Sequence, residues 1–393
     1  MTATRGVDCT AQRQPVLYVA FELGWSEWKL ALSPGDGRPA RLRSVGARNL
    51  DRLTQELASA KQRFGLPADA PVRSCYEAGR DGFWLHRYLE AQGIDNLVVD
   101  SSSIEVNRRS RRAKSDRLDA AKLLAQLVRH HGGEDRAWST VVVPSAEDEA
   151  KRHLHRELLT LKGERTEHVN RIKGLLAGCG LPLEVDGKFL ERLEQARQWD
   201  NQPVPAALQE RLRREFARWQ FVDEQIRSLD KERVKRVRES EAPEVKQVRQ
   251  LLQLAGIGIN SAWLFVHELF GWRHFANRRQ LGALAGLAPS PYQSGGRNHE
   301  QGISKAGNPR LRAMLVEIAW GWLRWQPGSR LSQWYQERFG GGSSRTRRVG
   351  IVALARKLLV ALWRYVETGE VPEGAELVEW EAKLKGRRVA LAE

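Results

Sequence analysis

The chain has 393 residues, more than one hydrophobic core usually holds, so two or three domains are expected. Lysine and arginine number 64 against 48 aspartate and glutamate, and the formal charge of +16 predicts a polyanionic partner such as a phosphate backbone. The sequence contains no secretory signal and no apolar run of about 18 residues, and its three scattered cysteines fit neither a disulfide framework nor a zinc site. These features predict a cytoplasmic protein that does not enter a membrane.

Strands and helices alternate after a polar segment, residues 1–14, that we expect to be flexible. Apolar runs bounded by turn residues predict strands at 16–23, 28–33, 41–45, 72–76 and 97–100, and helices at 50–64 and 82–92. A further helix is predicted to begin at Ser115, a good N-cap, with an apolar stripe from Ala120 to Val128 at helical spacing. Three strands followed by alternating helices and strands is the order of a ribonuclease-H-like fold.

In a ribonuclease-H-like fold, the first strand, the fourth strand and the last helix bring their carboxylates together at one edge of the sheet. Four carboxylates of this chain lie in the corresponding elements. Glu22 and Glu77 stand at the ends of predicted strands, and Asp116 and Asp119 lie one turn apart in the last helix. Positions i and i+3 share a helix face with Cβ atoms about 5–6 Å apart. Both carboxylates can therefore serve one pair of divalent ions, which lie about 3.5–4 Å apart where they act on phosphodiesters. Asp100 is a spare candidate, although a helix N-cap or a turn explains it equally well.

Residues 146–243 are predicted to form a charged helical arm. Leucines and aromatic residues recur at heptad-like spacing in two stretches, separated by Gly- and Pro-containing segments near 180 and 203. The pattern is typical of an antiparallel helical hairpin or an intermolecular coiled coil, and we favour a spacer and dimerisation arm. An ordinary amphipathic bundle is the alternative.

The following region contains Gly256 and Gly258 between two apolar helices. This resembles a helix-hairpin-helix, whose backbone N–H groups hold phosphate without reading bases. An unrelated glycine-rich helix connection has the same appearance.

A serine candidate follows in a glycine-rich stretch. Ser294 precedes Gly295-Gly296 and is flanked by Arg297 and Lys305, so the backbone can approach a phosphate closely. Ser-Gly-Gly alone is usually a plain turn. From the residues alone, Ser290 and Ser304 are comparable candidate nucleophiles.

The pattern as a whole, from about Leu17 to Tyr365, resembles the IS110 family of insertion-sequence transposases. The resemblance is carried by Tyr76-Glu77-Ala78-Gly79, by Lys114-Ser115-Asp116-Arg117-Leu118-Asp119-Ala120 and by the Ser294-Gly295 segment. Members are similar to the Piv invertase and join a RuvC-like domain, bearing four acidic residues, to a C-terminal domain with a catalytic serine. Many carry Asp where this chain has Glu22, and we expect the related IS1111-like subgroup, which this chain resembles, to tolerate Glu there.

The resemblance implies an α/β RuvC-like domain at 15–145, the arm at 146–243, a mainly helical serine transposase domain at 244–370 and a tail at 371–393. Glu22, Glu77, Asp116 and Asp119 would bind Mg²⁺ or Mn²⁺, and Ser294 would become covalently attached to DNA. It also implies a bridge RNA that pairs with target and donor DNA, and a homodimer or homotetramer. Plausible phosphate contacts near the four acids are Arg109, Arg111, Arg112 and Lys114, although a solvated charge run is the alternative for each.

Two other functions remain open. A RuvC-like endonuclease would hydrolyse junctions without a covalent intermediate, and a scaffold would bind nucleic acid without cutting it. The histidines at 130, 131, 153 and 155 lack zinc spacing and are interpreted as polar helix surface. For Trp320, Trp322 and Trp325, helical spacing favours core packing over base stacking.

Overall fold

The computed structural model describes residues 15–104, 116–134, 137–294 and 297–384, and for 116, 117, 291–294 and 297–301 it describes the backbone only. The chain divides into two compact units, Met1–Pro144 and Ser145–Glu393. The predicted flexible segment at 1–14 and the basic residues Arg109, Arg111, Arg112 and Lys114 lie outside the described residues.

The first unit is built on a five-stranded mixed sheet. Its strands are β1 (Leu17–Leu23), β2 (Glu27–Ser33), β3 (Arg41–Gly46), β4 (Val72–Glu77) and β5 (Asp95–Val99). Their spatial order is β3-β2-β1-β4-β5, in which β1, β2 and β3 pair antiparallel and β1, β4 and β5 pair parallel. The strands predicted from the sequence are all present, with bounds that shift by one or two residues.

Three helices cover the sheet because successive strand residues point to opposite faces. They are α1 (Leu50–Phe64), α2 (Trp84–Ala91) and α3 (Asp116–His131). Val19 and Phe21 pack in the core that includes residues of α1 and α2, whereas Ala20 packs in the core that includes α3. Within α1, the side chain of Asn49 accepts a hydrogen bond from the N–H of Arg52 and caps the first turn.

In the second unit the predicted arm is an antiparallel pair of long helices. Its helices are α4 (Ala146–Lys151), α5 (His153–Ala177), α6 (Phe189–Gln195) and α7 (Ala206–Glu239). Arg165 donates to Asp223 at 2.9 Å, and Arg171 donates to Glu215 at 3.1 Å. A later residue of α5 therefore pairs with an earlier residue of α7, so the two helices are antiparallel. The helical hairpin predicted from the heptad-like spacing is therefore formed within one chain.

The rest of the second unit is mostly helical. Its elements are α8 (Pro243–Leu252), α9 (Ile259–Phe265), α10 (Arg278–Leu284), β6 (Pro289–Ser294), β7 (Arg297–Ile303), α11 (Pro309–Trp325), α12 (Arg330–Tyr335) and α13 (Ser344–Thr368). Two π-helical segments, Val266–Phe270 and Gln336–Gly340, extend α9 and α12. Among the tryptophans of α11, Trp322 is fully buried, whereas Trp320 and Trp325 are exposed.

Residues 371–384 pack onto this helical core. Leu377 pairs with Leu254 in an isolated bridge, Gln326 accepts a hydrogen bond from the N–H of Glu376 at 2.7 Å, and Leu384 is buried. The first part of the segment predicted as a tail is thus joined to the second unit. Within the described residues, no helix is both long enough and apolar enough to cross a membrane.

Candidate functional site

Two of the predicted carboxylates stand side by side at the ends of neighbouring strands. Strands β1 and β4 are parallel, and their register pairs Phe21 with Tyr76. The next residue on each strand is a glutamate, Glu22 on β1 and Glu77 on β4, so both side chains project from the same face of the sheet. Adjacent strands are about 4.8 Å apart, which is close enough for two carboxylates to share a cation.

Helix α3 carries a third carboxylate, Asp119, on the same face of the sheet as Glu22 and Glu77. The Sγ of Cys75 lies 3.9 Å from the carbonyl oxygen of Leu123, so α3 packs on the face of the sheet that also carries the terminal residue of β4. The rings of Tyr18, near the start of β1, and His131, at the end of α3, are 5.9 Å apart. The helix therefore runs antiparallel to β1, and Asp119, one turn before Leu123, lies on the part of α3 nearer the carboxyl ends of β1 and β4.

The remaining acidic candidates differ in what they can contribute. Asp116 begins α3, one turn before Asp119, and its side chain lies outside the described part of the chain. Asp100 follows β5, and its Oδ1 accepts hydrogen bonds from the N–H and the hydroxyl of Ser102 at 2.9 and 2.8 Å. Asp100 is therefore occupied as a cap, which was one of the two interpretations from the sequence.

The carboxylates match the oxygen ligands that Mg²⁺ and Mn²⁺ take in proteins. Among the described side chains, however, no three acidic, histidine or cysteine groups are close enough to hold a metal ion. The Nζ of Lys122 lies 3.3 Å from Oδ1 of Asp119, so this carboxylate is ion-paired. Carboxylate oxygens are thus suitable ligands for a divalent ion, and Asp119 would release Lys122 in order to bind the metal.

The predicted nucleophile lies in the other unit, at the tip of a β-hairpin. Ser294 is the last residue of β6 and pairs with Arg297, the first residue of β7, across Gly295-Gly296. The sequence predicted a glycine-rich loop, and this was wrong for the flanking residues. A two-residue glycine connection between extended segments is a strong hairpin signal that could have identified both strands.

The base of this hairpin is fixed to the end of α10. The N–H of Ser304 donates to the carbonyl of Ala288 at 2.8 Å, and the N–H of Asn308 donates to the carbonyl of Leu284, also at 2.8 Å. Between them, Lys305 adopts a left-handed backbone, with φ of 57°, and its carbonyl accepts a hydrogen bond from Arg312 at 2.9 Å. Lys305 is exposed, so its ammonium group is available to a ligand beside the hairpin.

A groove of about 810 Å³, which we call the hairpin groove, lies at the same base. The hairpin contributes Pro289, Gly302 and Ile303, and apolar residues of α12 and α13 form much of the remaining lining. Its described lining contains five cationic side chains and no acidic one: Arg278, Arg279, Arg356, Lys357 and Arg364. The sequence analysis missed these cations because they come from two helices far apart in the chain.

The connection between α8 and α9 contains the two glycines of the predicted helix-hairpin-helix. Gly256 has φ of 85°, and Gly258 precedes α9. The N–H of Gly258 already donates to Oγ of Ser261 at 3.2 Å, and Lys383 donates to the carbonyls of Leu254 and Ile257 at 2.6 and 2.9 Å. The connection is thus held by groups of its own unit.

One prediction about the histidines was wrong. His153 is exposed, as a polar helix surface requires, but His155 is only 2 % exposed, and neither of its ring nitrogens has a hydrogen-bond partner among the described residues. Burial, with the nearby positive charge of Arg233, lowers the pKa of His155 to about 4. Helical spacing places position 155 on the inner side of α5, and the apolar character of its neighbours was the missed signal.

Comparison with known proteins identifies the class. Residues 248–336 match the model of the family described as "Transposase IS116/IS110/IS902 family". The chain is 42% identical over 376 residues to the putative transposase y4rJ of Sinorhizobium fredii, covering 91% of this chain and 94% of the relative. It is 30% identical over 324 residues to the transposase for insertion sequence element IS1328 of Yersinia enterocolitica, covering 81% and 88%.

These matches define a transposase, a DNA-acting enzyme of insertion-sequence elements. The chain belongs to the IS116/IS110/IS902 family of transposases, which confirms the resemblance found in the sequence at the level of the family.

Proposed function

We propose that this transposase cuts and rejoins DNA through a covalent phosphoserine intermediate formed by Ser294. In this proposal the first unit is a ribonuclease-H-like, RuvC-like domain, and Glu22, Glu77, Asp116 and Asp119 bind Mg²⁺ or Mn²⁺. The observation that carries it is the β1–β4 register, which sets Glu22 beside Glu77 on the face covered by α3. Membership of the transposase family supplies the class of substrate.

The proposed reaction is a transesterification. The Ser294 oxygen attacks a backbone phosphorus, an oxygen–phosphorus bond forms, and the bond to the 3′ oxygen breaks. The hydroxyl proton is transferred overall to that oxygen, so a phosphoserine ester and a free 3′ hydroxyl result. A second 3′ hydroxyl reverses the exchange, so rejoining needs no nucleotide cofactor. A bound divalent ion would stabilise the charge on the phosphate and favour deprotonation of the serine.

The surroundings of the hairpin support a DNA strand at Ser294. Lys305 is exposed at its base, and the hairpin groove presents five cations without a described acid. Cationic side chains around a backbone contribute affinity without reading sequence. We therefore propose that Arg297, Lys305 and the groove hold the cut strand. We also propose that Gly256 and Gly258 form a helix-hairpin-helix that contacts the backbone elsewhere, with the N–H of Gly258 exchanging its hydrogen bond to Ser261 for one to a phosphate.

Trapping the adduct tests the proposal. The full chain is incubated with labelled DNA carrying the element ends and Mg²⁺, denatured, and resolved by gel electrophoresis. We expect a protein–DNA adduct that Ser294→Ala abolishes. Ser290→Ala and Ser304→Ala, the neighbouring serines with comparable sequence settings, are matched controls and should retain it.

The alternatives give different results. Cutting that depends on metal but yields no adduct in the wild-type protein would indicate a hydrolytic endonuclease. A scaffold would show no metal-dependent cutting and would bind DNA equally well after Asp116→Ala. For the proposed enzyme, Glu77→Gln should lower the cutting rate by at least about a hundredfold, because it removes a proposed metal ligand.

We further propose guidance by a bridge RNA and action as a homodimer or homotetramer, within an IS1111-like subgroup. Large apolar side chains exposed on the arm, Trp199 and Phe221, would suit contact with a second copy. Sequencing the RNA that copurifies from the native host tests guidance. One discrete RNA encoded beside the gene supports it, and a heterogeneous mixture contradicts it.

A further inference from the structure

The outer edge of the sheet in the first unit carries a pocket that the proposed chemistry does not use. This edge pocket, of about 550 Å³, lies between β3, the last strand in the sheet order, and α1. Its polar lining consists of Lys29, Arg41, Arg43, Ser44, Arg52, Glu56 and Ser59. The lining is mainly polar, in contrast to the apolar hairpin groove.

A single buried carboxylate organises the cations of the edge pocket. The side chain of Glu56 is 8% exposed, and its Oε1 accepts a hydrogen bond from Arg52 at 2.7 Å. Its Oε2 lies 3.5 Å from Arg41 and 3.6 Å from Arg43. Three guanidinium groups therefore converge on one negative charge, and two positive charges remain without compensation from Glu56.

Holding these cations together is unfavourable unless an anion joins them. The side chain of Arg41 is only 16% exposed, and its Nε has no hydrogen-bond partner among the described residues. Burial, together with repulsion by Arg43 and Arg63, lowers the pKa of Arg41. One arginine would suffice to compensate Glu56, and apolar Leu53 and Leu57 already attach α1 to the sheet.

We propose that the edge pocket binds a nucleic-acid backbone phosphate other than the one that is cleaved. Guanidinium groups fixed by a carboxylate present paired donors that match phosphate oxygens, and the mainly polar lining provides little apolar surface for a base. DNA and RNA supply the same group. This inference rests on the transposase acting on nucleic acid and does not require the phosphoserine intermediate.

Salt dependence of binding measures the proposed contact. Anisotropy of labelled element-end duplex, and separately of single-stranded RNA, is recorded with the full chain between about 50 and 200 mM salt. We expect Arg43→Gln to reduce the slope of log affinity against log salt by about 0.9 for duplex DNA or about 0.7 for a single strand. Arg41→Gln combined with Arg43→Gln should reduce it about twice as much.

Arg73→Gln is the matched control, because Arg73 lies on the same sheet but pairs with Asp95 at 3.6 Å, outside the pocket. Arg43→Gln should fold normally, since its side chain is 45% exposed and Arg52 still compensates Glu56. A slope that falls only for DNA, or only for RNA, supports the site and identifies its ligand.

An unchanged slope for both nucleic acids in folded Arg43→Gln would show that the pocket arginines are structural. An equal fall in Arg73→Gln would show that the slope reports the total charge of the protein and would also overturn the proposed site. Absence of the serine adduct in the wild-type protein would reject the phosphoserine mechanism while leaving this slope measurable. The two failures are therefore distinguishable.

Discussion

Asp119 is held by Lys122, and this ion pair sets a specific expectation for metal use. The two side chains are 30% and 47% exposed, so the pair contributes at most about 1 kcal/mol. Lys122→Gln should remove this competitor and lower the Mg²⁺ concentration for half-maximal cutting by up to about fivefold. Titrating Mg²⁺ in the cutting assay measures it.

Lys61→Gln provides a control for that titration, because Lys61 lies on α1 and donates to the carbonyl of Ala68. A higher Mg²⁺ requirement in Lys122→Gln would mean that the lysine assists the site, and would contradict competition.

Gly256 illustrates a residue whose backbone cannot easily accept a side chain. Its φ is 85°, and an added Cβ would lie 3.2 Å from the Cβ of Trp325. Gly256→Ala should therefore destabilise the second unit by about 1–2 kcal/mol, the usual penalty for an L-residue in the left-handed region. Chemical denaturation of the full chain measures it.

Gly174→Ala is a useful contrast, because Gly174 lies exposed within α5 and an added Cβ would meet nothing within 4 Å. Alanine should stabilise this helix by about 1 kcal/mol. Equal effects of both substitutions on stability would refute the role assigned to the Gly256 backbone.

The positions of the proposed site residues were predictable where a local pattern marked them. Glu22 lies near the end of one apolar run and Glu77 follows another, and the parallel pairing of β1 with β4 makes them neighbours. Lys122 was not predictable as a competitor, because its contact with Asp119 depends on rotamers. The cations of the edge pocket were not predicted, because the arginines that pair with Glu56 come from two different elements, a strand and a helix.

At the level of elements, the junction between α5 and the π-helical segment Val266–Phe270 contains two buried histidines. His155 and His267 are both nearly inaccessible, and burial lowers the pKa of each to about 4, against an ordinary value of 6.5. Below pH 6.5 these two histidines bind protons in the unfolded chain, whereas in the folded chain they remain neutral until the pH approaches 4. Stability is therefore fully present above pH 6.5 and is lost as the pH falls toward 4.

His155→Leu should reduce this acid sensitivity. We expect the loss of unfolding free energy between about pH 7 and pH 5 to fall by roughly half, since one of the two histidines is removed. At pH 7 the stability should be unchanged or slightly higher, because an imidazole without partners is replaced by an apolar group. Urea denaturation at each pH measures both effects.

His153→Leu is the control, because His153 is exposed two positions earlier on α5. Its pH dependence should match that of the wild-type protein. If His155→Leu and the wild-type protein lose the same free energy on acidification, the buried imidazole is not the source.

Elements with strong periodicity were predicted well. The bounds of α1 match the prediction of 50–64, and the leucine spacing anticipated the pairing of α5 with α7. Strands β6 and β7 were not anticipated, because proline, serine and glycine dominate their sequence and tertiary contacts at the hairpin base fix them. Local propensity is a weak guide to such strands.

At the scale of the whole molecule, the proposed chemical groups are divided between two units. The carboxylates belong to Met1–Pro144 and Ser294 to Ser145–Glu393. Each unit has its own buried core, so each satisfies the main requirement for independent folding. The sequence predicted this separation of roles, whereas the number of compact units depends on long-range packing that composition does not encode.

This division predicts that the proposed metal site binds its ion without the serine. A fragment that ends at Pro144 should fold cooperatively, since α1 and α2 cover one face of its sheet and α3 covers the other. Mn²⁺ at about 100 times its dissociation constant should stabilise it by about 2.7 kcal/mol, because the ion binds only the folded state. Thermal unfolding of the fragment with and without Mn²⁺ measures this.

Joint replacement of Glu22 and Glu77 by glutamine should abolish the Mn²⁺ effect on the fragment without preventing folding, because both residues lie at strand ends and outside the apolar cores. Asp51→Asn on α1 is the control and should keep the full shift, since Asp51 lies in the first turn of a helix that packs on the opposite face of the sheet. If the folded fragment gains no stability from Mn²⁺ while the full chain does, ligands from Ser145–Glu393 complete the site. The tetrad assigned to the first unit would then be incomplete.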